Sequence, residues 1–224
     1  MVNHPTLDFM AIFPNLYDDF VSPELQDLNF KLANNILPVG DFLYKRGISV
    51  LCSCVFCGFN LEAVDHLFVS CPFFKKVWFF IQEIVYNMFE YKFPVIQDII
   101  IFHKIPDDFP VEQDQVIFQL LSLGKYAIWL SRNRKKFDKV SVSSQDVINL
   151  FLRKLRSRCI VDGCRLSLED FVKRWSKGRV VANITVSGMV DFLLYSCMSR
   201  HFFAEQLISI SLYVTIWCLQ VTLR

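Results

Sequence analysis

Apolar residues recur at helical spacing near the start of the chain. Behind Ser22-Pro23, residues three and four apart form one apolar stripe: Leu25, Leu28, Leu32 and Ile36. This spacing predicts a helix with Ser22 as N-cap and Pro23 at its first position, ended by Pro38-Val39-Gly40. A second short helix is predicted from Asp41 to Arg46, leading into a cluster of cysteines.

The same period predicts three longer helices over residues 73–89, 111–137 and 145–160, the last capped by Ser144. Their inward positions are Val77, Trp78, Ile81, Ile84, Val85 and Met88; then Val116, Leu120, Leu123, Ala127, Ile128 and Leu130; then Val147, Ile148, Phe151, Leu152 and Leu155. Ser167 and Asp170 have capping-box spacing and open a shorter helix that ends near Trp175. With only 7 glycines and 8 prolines in 224 residues, the chain favours long helices over a sandwich of strands and turns. We therefore predict a mainly α-helical fold.

The segment Leu207–Leu223 carries no charge and allows two interpretations. Its length is at the lower edge of a membrane-spanning helix. Its aliphatic residues alternate with serine, threonine and aromatic residues from position 208 to 217, which is the period of a strand. A short C-terminal strand or a loosely packed tail is favoured, and a membrane anchor is the alternative. Acidic residues interrupt the first thirty positions, so no signal peptide is expected and an intracellular location, cytoplasm or nucleus, is favoured.

Four of the eight cysteines fall between positions 52 and 71, together with one histidine. Cys54, Cys57, His66 and Cys71 form the pattern C-x2-C-x8-H-x4-C. Three thiolates and one imidazole are a suitable tetrahedral ligand set for zinc, and the two-residue spacer lets both sulfurs face one ion. Gly58 suits the turn after Cys57 because glycine adopts a positive φ without steric cost. Cys52 could replace Cys54 as a ligand, although only Cys54 completes the two-residue spacer.

The predicted zinc site is structural. A catalytic zinc keeps one coordination position for water, whereas four protein ligands fill the shell here. No deaminase or HExxH pattern accompanies the ligands. The zinc would instead stabilise a short segment, residues 50–75, that lacks a core of its own and packs on the following helix through Phe73, Val77 and Trp78.

The residues around this motif resemble a known family. Before the cysteines the chain reads Asn34-Asn35-Ile36-Leu37-Pro38 and then Leu43 to Ile48; after them it continues with Glu62, His66-Leu67-Phe68, Cys71-Pro72 and Val77-Trp78. This order is similar to the zinc-binding region that follows the polymerase in reverse transcriptases of non-LTR (LINE-type) retrotransposons. Ile128 to Asn133 resembles a trailing helix of that group. The resemblance implies a C-terminal accessory module that grips RNA or DNA, with Cys54, Cys57, His66 and Cys71 as the zinc ligands.

The net charge of +2 conceals a strong asymmetry. Residues 1–124 carry 7 basic and 15 acidic side chains, a net −8, while residues 125–224 carry 17 and 7, a net +10. Three basic clusters supply the candidate nucleic-acid contacts: Arg132, Arg134, Lys135 and Lys136; Arg153, Lys154, Arg156 and Arg158; Lys173 and Arg174. Arg132, Lys135, Lys136 and Lys139 share one helix face that could bind phosphates, and Phe137 and Trp175 could stack on unpaired bases. The alternative is a set of solvated helix faces with both aromatic residues in the core.

These observations predict three regions: a zinc-binding domain of the reverse-transcriptase type at residues 1–95, a basic helical region at 111–180, and an apolar tail at 181–224. The expected function is non-catalytic binding of RNA or DNA, with zinc as cofactor and no small-molecule substrate. Tyr17-Asp18-Asp19 superficially resembles a polymerase motif but lacks the palm sequence around it. The alternatives are a structural zinc module that contacts only proteins, and a membrane-anchored protein. The sequence leaves open the type of nucleic acid, the oligomeric state, and whether the chain is a fragment of a polyprotein.

Overall fold

Helices form most of the ordered structure in the computed structural model, which describes residues 21–49, 52–105, 110–175, 181–184 and 190–192. The α-helices of the described chain are α1 (Pro23–Ala33), α2 (Gly40–Lys45), α3 (Lys75–Phe89), α4 (Gln97–Ile100), α5 (Val111–Phe137), α6 (Ser144–Arg165) and α7 (Leu168–Trp175). A π-helical turn (His66–Ser70) and a 3-10 turn (Pro72–Phe74) precede α3. The prediction of a mainly α-helical fold is confirmed.

The apolar stripes predicted from the sequence lie in the core apart from Ile36 and the partly exposed Leu130, and the cap of α6 also differs from the prediction. Ile36 is 42% exposed because α1 ends at Ala33 and Asn35 turns the chain with φ 54°; Leu37 is buried instead. The cap of α6 is Ser143 and not Ser144. Its hydroxyl accepts a hydrogen bond from the Asp146 amide, and the Asp146 carboxylate accepts one from the Ser143 amide.

Helix α5 is the centre of the fold, since α1, α3 and α6 all pack against it. Gly124 of α5 allows a close approach of α3: a Cβ at this position would lie 2.6 Å from Ile81 Cδ1 and 3.1 Å from Trp78 Cζ3. Asn29 of α1 donates a buried hydrogen bond of 2.9 Å to Ser122 of α5. The predicted regions 1–95 and 111–180 therefore contribute to one continuous hydrophobic core.

A short antiparallel pair follows the helices, formed by β1 (Ala182–Ile184) and β2 (Val190–Phe192) in the register Asn183 opposite Asp191. The strand predicted within Leu207–Leu223 lies outside the described residues, as does the proposed membrane anchor. Among the helices that the structure describes, none combines the length and the apolar character needed to cross a membrane.

Lys125 is a charged residue inside the core. Its side chain is 1% exposed, and its Nζ lies 5.9 Å from the centroid of the Phe118 ring. Burial lowers the pKa of Lys125 from 10.5 to about 7, because the protonated amine is poorly solvated there. The folded protein thus gives up a proton that the unfolded chain retains up to about pH 10, so stability rises with pH across this window.

Replacing Lys125 by methionine is expected to stabilise the protein most at pH 7 and below. The advantage of the methionine variant in free energy of unfolding should shrink by about 3 kcal/mol between pH 7 and pH 9.5, since the parent gains stability there and the variant does not. Urea unfolding of both proteins across this range measures the difference. Lys31→Met, a change at an exposed lysine, should show no such pH dependence, and a constant difference for Lys125→Met would contradict the assignment.

Candidate metal centre

The structure brings Cys54, Cys57, His66 and Cys71 together as one group. Their candidate ligand atoms all lie within 4.8 Å of one another. The Sγ atoms of Cys54 and Cys71 are 3.9 Å apart, and Cys57 Sγ is 3.2 Å from His66 Nε2. In a tetrahedral zinc site with Zn–S bonds of about 2.3 Å, neighbouring sulfurs lie about 3.8 Å apart. The group is therefore positioned to bind one metal ion, and its donor set fits zinc.

The first two ligands sit on a tight turn. The Gly58 amide donates to the Cys54 carbonyl at 2.9 Å, and the Cys54 amide donates to the Phe59 carbonyl at 2.8 Å, so the chain folds back on itself around residues 55–57. Gly58 has φ +74°, the left-handed conformation that its place after Cys57 predicts. Cys52, the alternative ligand, is directed elsewhere, because its Sγ lies 3.1 Å from the Asn60 carbonyl oxygen.

The other two ligands are joined by the π-helical turn His66–Ser70. The Cys71 amide donates to the His66 carbonyl at 2.7 Å, five residues back. In an α-helix, residues four positions apart lie on the same side. His66 and Cys71 are five positions apart, and the wider π-helical turn keeps their side chains on the same side. Short π-helical turns of this kind are common at functional sites.

Aromatic residues surround the cluster and join it to α3. Phe59 stacks on the His66 ring, with centroids 4.7 Å apart and an interplanar angle of 16°. On the other side Phe56 packs on Phe73 at 4.4 Å. Trp78 of α3 donates its indole N–H to the Phe68 carbonyl at 2.7 Å. The zinc segment therefore packs on the following helix, as its sequence predicts.

The contact between the buried thiols of Cys54 and Cys71 shifts their pKa values in opposite directions. The contact with Cys71 lowers the pKa of the Cys54 thiol, and the same contact raises the pKa of Cys71. A metal ion at this position needs both groups as thiolates, so metal binding here weakens as the pH falls.

Glu62 is a residue of this region whose contacts the sequence does not reveal. Its side chain is fully buried, and Oε1 accepts hydrogen bonds from Arg132 Nε at 3.0 Å, Arg132 Nη2 at 2.6 Å and the Gly40 amide at 2.9 Å. Arg132 is 1% exposed. The prediction that Arg132 belongs to an exposed phosphate-binding face is therefore wrong, because this guanidinium is the buried partner of Glu62.

A second buried network explains three more of the predicted nucleic-acid residues. Asp162 is fully buried and accepts hydrogen bonds from Arg158 and, at 2.8 Å, from Trp175 Nε1. Arg174 Nη1 lies 3.7 Å from the same carboxylate. Trp175 is fully buried, so the prediction that it stacks on bases is wrong. Arg158 and Arg174 are largely buried and join α6 to α7.

The other predicted cations are on the surface to different degrees. Arg134, Arg153, Lys154 and Lys173 are exposed, and Lys135, Lys136 and Arg156 are partly exposed. Lys173 forms an exposed ion pair with Glu169. The Nζ of Lys135 lies 4.7 Å from the centroid of the Phe56 ring, next to the cysteine turn. The predicted stacking residue Phe137 is 62% exposed.

Comparison with known protein families gives a match to part of the chain. Residues 10–78 match the family model described as zinc-binding in reverse transcriptase, a zinc-binding family and not a catalytic one. The match spans the predicted ligands together with α1, α2 and the first residues of α3. No curated protein and no solved structure matches the chain.

Proposed function

We propose that the chain is a non-catalytic module that binds RNA or DNA through its basic helices, since residues 10–78 match the family model described as zinc-binding in reverse transcriptase. Zinc holds the cysteine segment against α3 and α5. The exposed cations of α5 and α6 then contact the phosphate backbone without reading base sequence.

The observation that carries this proposal is a basic surface shared by two helices. The pKa of Asp146 is lowered first by its hydrogen bonds to Ser143 and further by the charges of Arg134 on α5 and Arg153 on α6. Both arginines are exposed, and the charges of both act on the same Asp146 carboxylate. Lys135, the next residue after Arg134, lies over the Phe56 ring and extends this surface to the zinc segment.

The test is fluorescence anisotropy with single-stranded RNA, single-stranded DNA, duplex DNA and an RNA–DNA hybrid of equal length. We expect binding at about 50 mM salt that weakens steeply by about 200 mM, because bound phosphates release counterions. The double change Arg134→Glu and Arg153→Glu should weaken binding at least tenfold and reduce the slope of log affinity against log salt by about 2, since two phosphate contacts are lost.

The control is Lys31→Glu combined with Lys104→Glu, which changes the net charge equally at two exposed lysines of the acidic half of the chain. This variant should retain most of the affinity. Equal losses of affinity in both variants would show that binding depends on the net charge of the protein and not on the positions of Arg134 and Arg153. If the zinc-loaded parent binds none of the four probes at low salt, the proposal is wrong and a structural module that contacts proteins becomes the better account.

A further inference from the structure

The Glu62–Arg132 pair joins the zinc segment to the basic end of α5. Glu62 lies between two of the candidate ligands, five residues after Cys57 and four before His66. Arg132 lies two residues before Arg134 and three before Lys135, in the last two turns of α5. Seventy residues separate the two partners in sequence. The pair is therefore a direct contact between the segment that holds the metal and the helix end that carries the exposed cations.

Glu62 is fixed by its backbone as well as by its carboxylate. Its amide donates to the Cys52 carbonyl at 2.6 Å, and its own carbonyl accepts from the Asp41 amide at 3.0 Å. At Gly40, whose amide reaches the carboxylate, a Cβ would lie 2.9 Å from the Cys52 carbonyl oxygen and 3.0 Å from Glu62 Cβ. The carboxylate can hold Arg132 in place only while the chain around Cys52 and Glu62 keeps this conformation.

A second cation depends on the same carboxylate. Lys136 lies one helical turn after Arg132, and its Nζ is buried without a hydrogen-bond partner among the described residues, as is Glu62 Oε2. The pKa of Lys136 is lowered by burial and by the charge of Arg132, whereas the charge of Glu62 opposes this shift. If Glu62 moved away, two cations on adjacent turns of α5 would face each other without a counter-charge.

We propose that Glu62 is a positioning residue that couples metal binding to the conformation of the basic end of α5. When the four ligands hold zinc, the segment places Glu62 against Arg132 and the last turns of α5 are ordered. When zinc leaves, the segment loosens, Arg132 and Lys136 lose their counter-charge, and residues 129–137 open. By linkage, the factor by which bound zinc stabilises the Glu62–Arg132 contact equals the factor by which this contact strengthens zinc binding. Loss of the contact must therefore weaken zinc binding. The inference rests on the proposed function only where it identifies this helix end as the nucleic-acid contact.

Two measurements on the full chain without nucleic acid test this coupling. The first is amide hydrogen exchange with zinc and after its removal by a chelator. We expect zinc removal to accelerate exchange at residues 129–137 at least tenfold, while residues 147–160 of α6 change little. Glu62→Gln should show the fast exchange at 129–137 even with one zinc bound. Asp65→Asn, an equal charge change at an exposed residue of the same segment, should behave like the parent.

The second measurement is zinc affinity by competition with a chelator, arranged as a double-mutant cycle. Arg132→Met should weaken zinc binding at least tenfold in the parent and have little further effect when Glu62 is already glutamine. If Arg132→Met fails to fold, Arg132→Lys keeps the charge but loses the two-nitrogen contact, and an intermediate loss of zinc affinity is expected.

Three results would overturn the inference, and the first two are an exchange rate at 129–137 that does not respond to zinc and unchanged zinc affinity in the folded arginine variants. Equal acceleration throughout α6 would also contradict it, since that indicates global unfolding. Because no oligonucleotide is present, a failure of the nucleic-acid proposal would leave both measurements unaffected.

Discussion

Replacing Cys71 by serine is expected to abolish stoichiometric zinc binding and to unfold the segment around residues 52–74. Cys71 is buried, and its Sγ lies 3.9 Å from that of Cys54 in the middle of the ligand group. Structural zinc sites in small modules contribute about 10 kcal/mol or more to folding. Here the helical core supports the segment, so we expect a smaller loss of about 3–5 kcal/mol in the free energy of unfolding.

Zinc content of the purified protein and urea unfolding measure this effect. Cys164→Ser, at an exposed cysteine far from the ligands in sequence, is the matched control and should retain one zinc and parental stability. Cys52→Ser should behave like the control, because Cys52 is directed at the Asn60 carbonyl. A Cys71→Ser variant that keeps one zinc per chain would show that the ligand set is wrong.

Replacing Asp162 by asparagine is expected to be the most damaging change away from the zinc segment. The buried carboxylate is shared by Arg158, Arg174 and the Trp175 indole. Asparagine has nearly the same shape but no charge, so two largely buried guanidinium groups would lose their ion pair with this carboxylate. Breaking a buried ion pair in this way costs about 3–5 kcal/mol, and α7 should detach from α6.

Thermal or urea unfolding measures this loss, and proteolysis between α6 and α7 reports the detachment. Glu169→Gln removes the same charge from the exposed pair with Lys173 on α7 and should cost less than about 1 kcal/mol. Similar small effects in both variants would mean that the Asp162 network contributes little to the packing of α7.

The apolar pattern is sufficient to predict the longer helices because burial in this fold is governed by helical period, whereas the four-residue helix α4 was not predicted. The bounds of α5 and the inward residues of α3 follow from it directly. The one-residue error at the cap of α6 arises because Ser143 and Ser144 are both suitable N-cap residues, and only the position of Asp146 decides between them.

The grouping of Cys54, Cys57, His66 and Cys71 was also predictable, because the spacing is local and the residue types are few. What the sequence could not give is the partner of each buried charge. Arg132 follows the buried residues Lys125 and Ile128 by seven and four positions, so helical phase alone places it on the inner face. Its charge nevertheless predicts a side chain exposed to solvent. The carboxylate that neutralises this charge, that of Glu62, lies seventy residues away in the sequence. Such distant pairings arise from tertiary packing and leave no periodic signal.

The most direct test of this account is the metal itself. Protein purified with zinc present should contain one zinc per chain, and X-ray absorption at the zinc edge should show three sulfur neighbours at about 2.3 Å and one nitrogen at about 2.0 Å. That result is what Cys54, Cys57, His66 and Cys71 predict. Well under one zinc per chain, or a first shell containing water oxygen or four sulfurs, would contradict the closed site of three cysteines and one histidine.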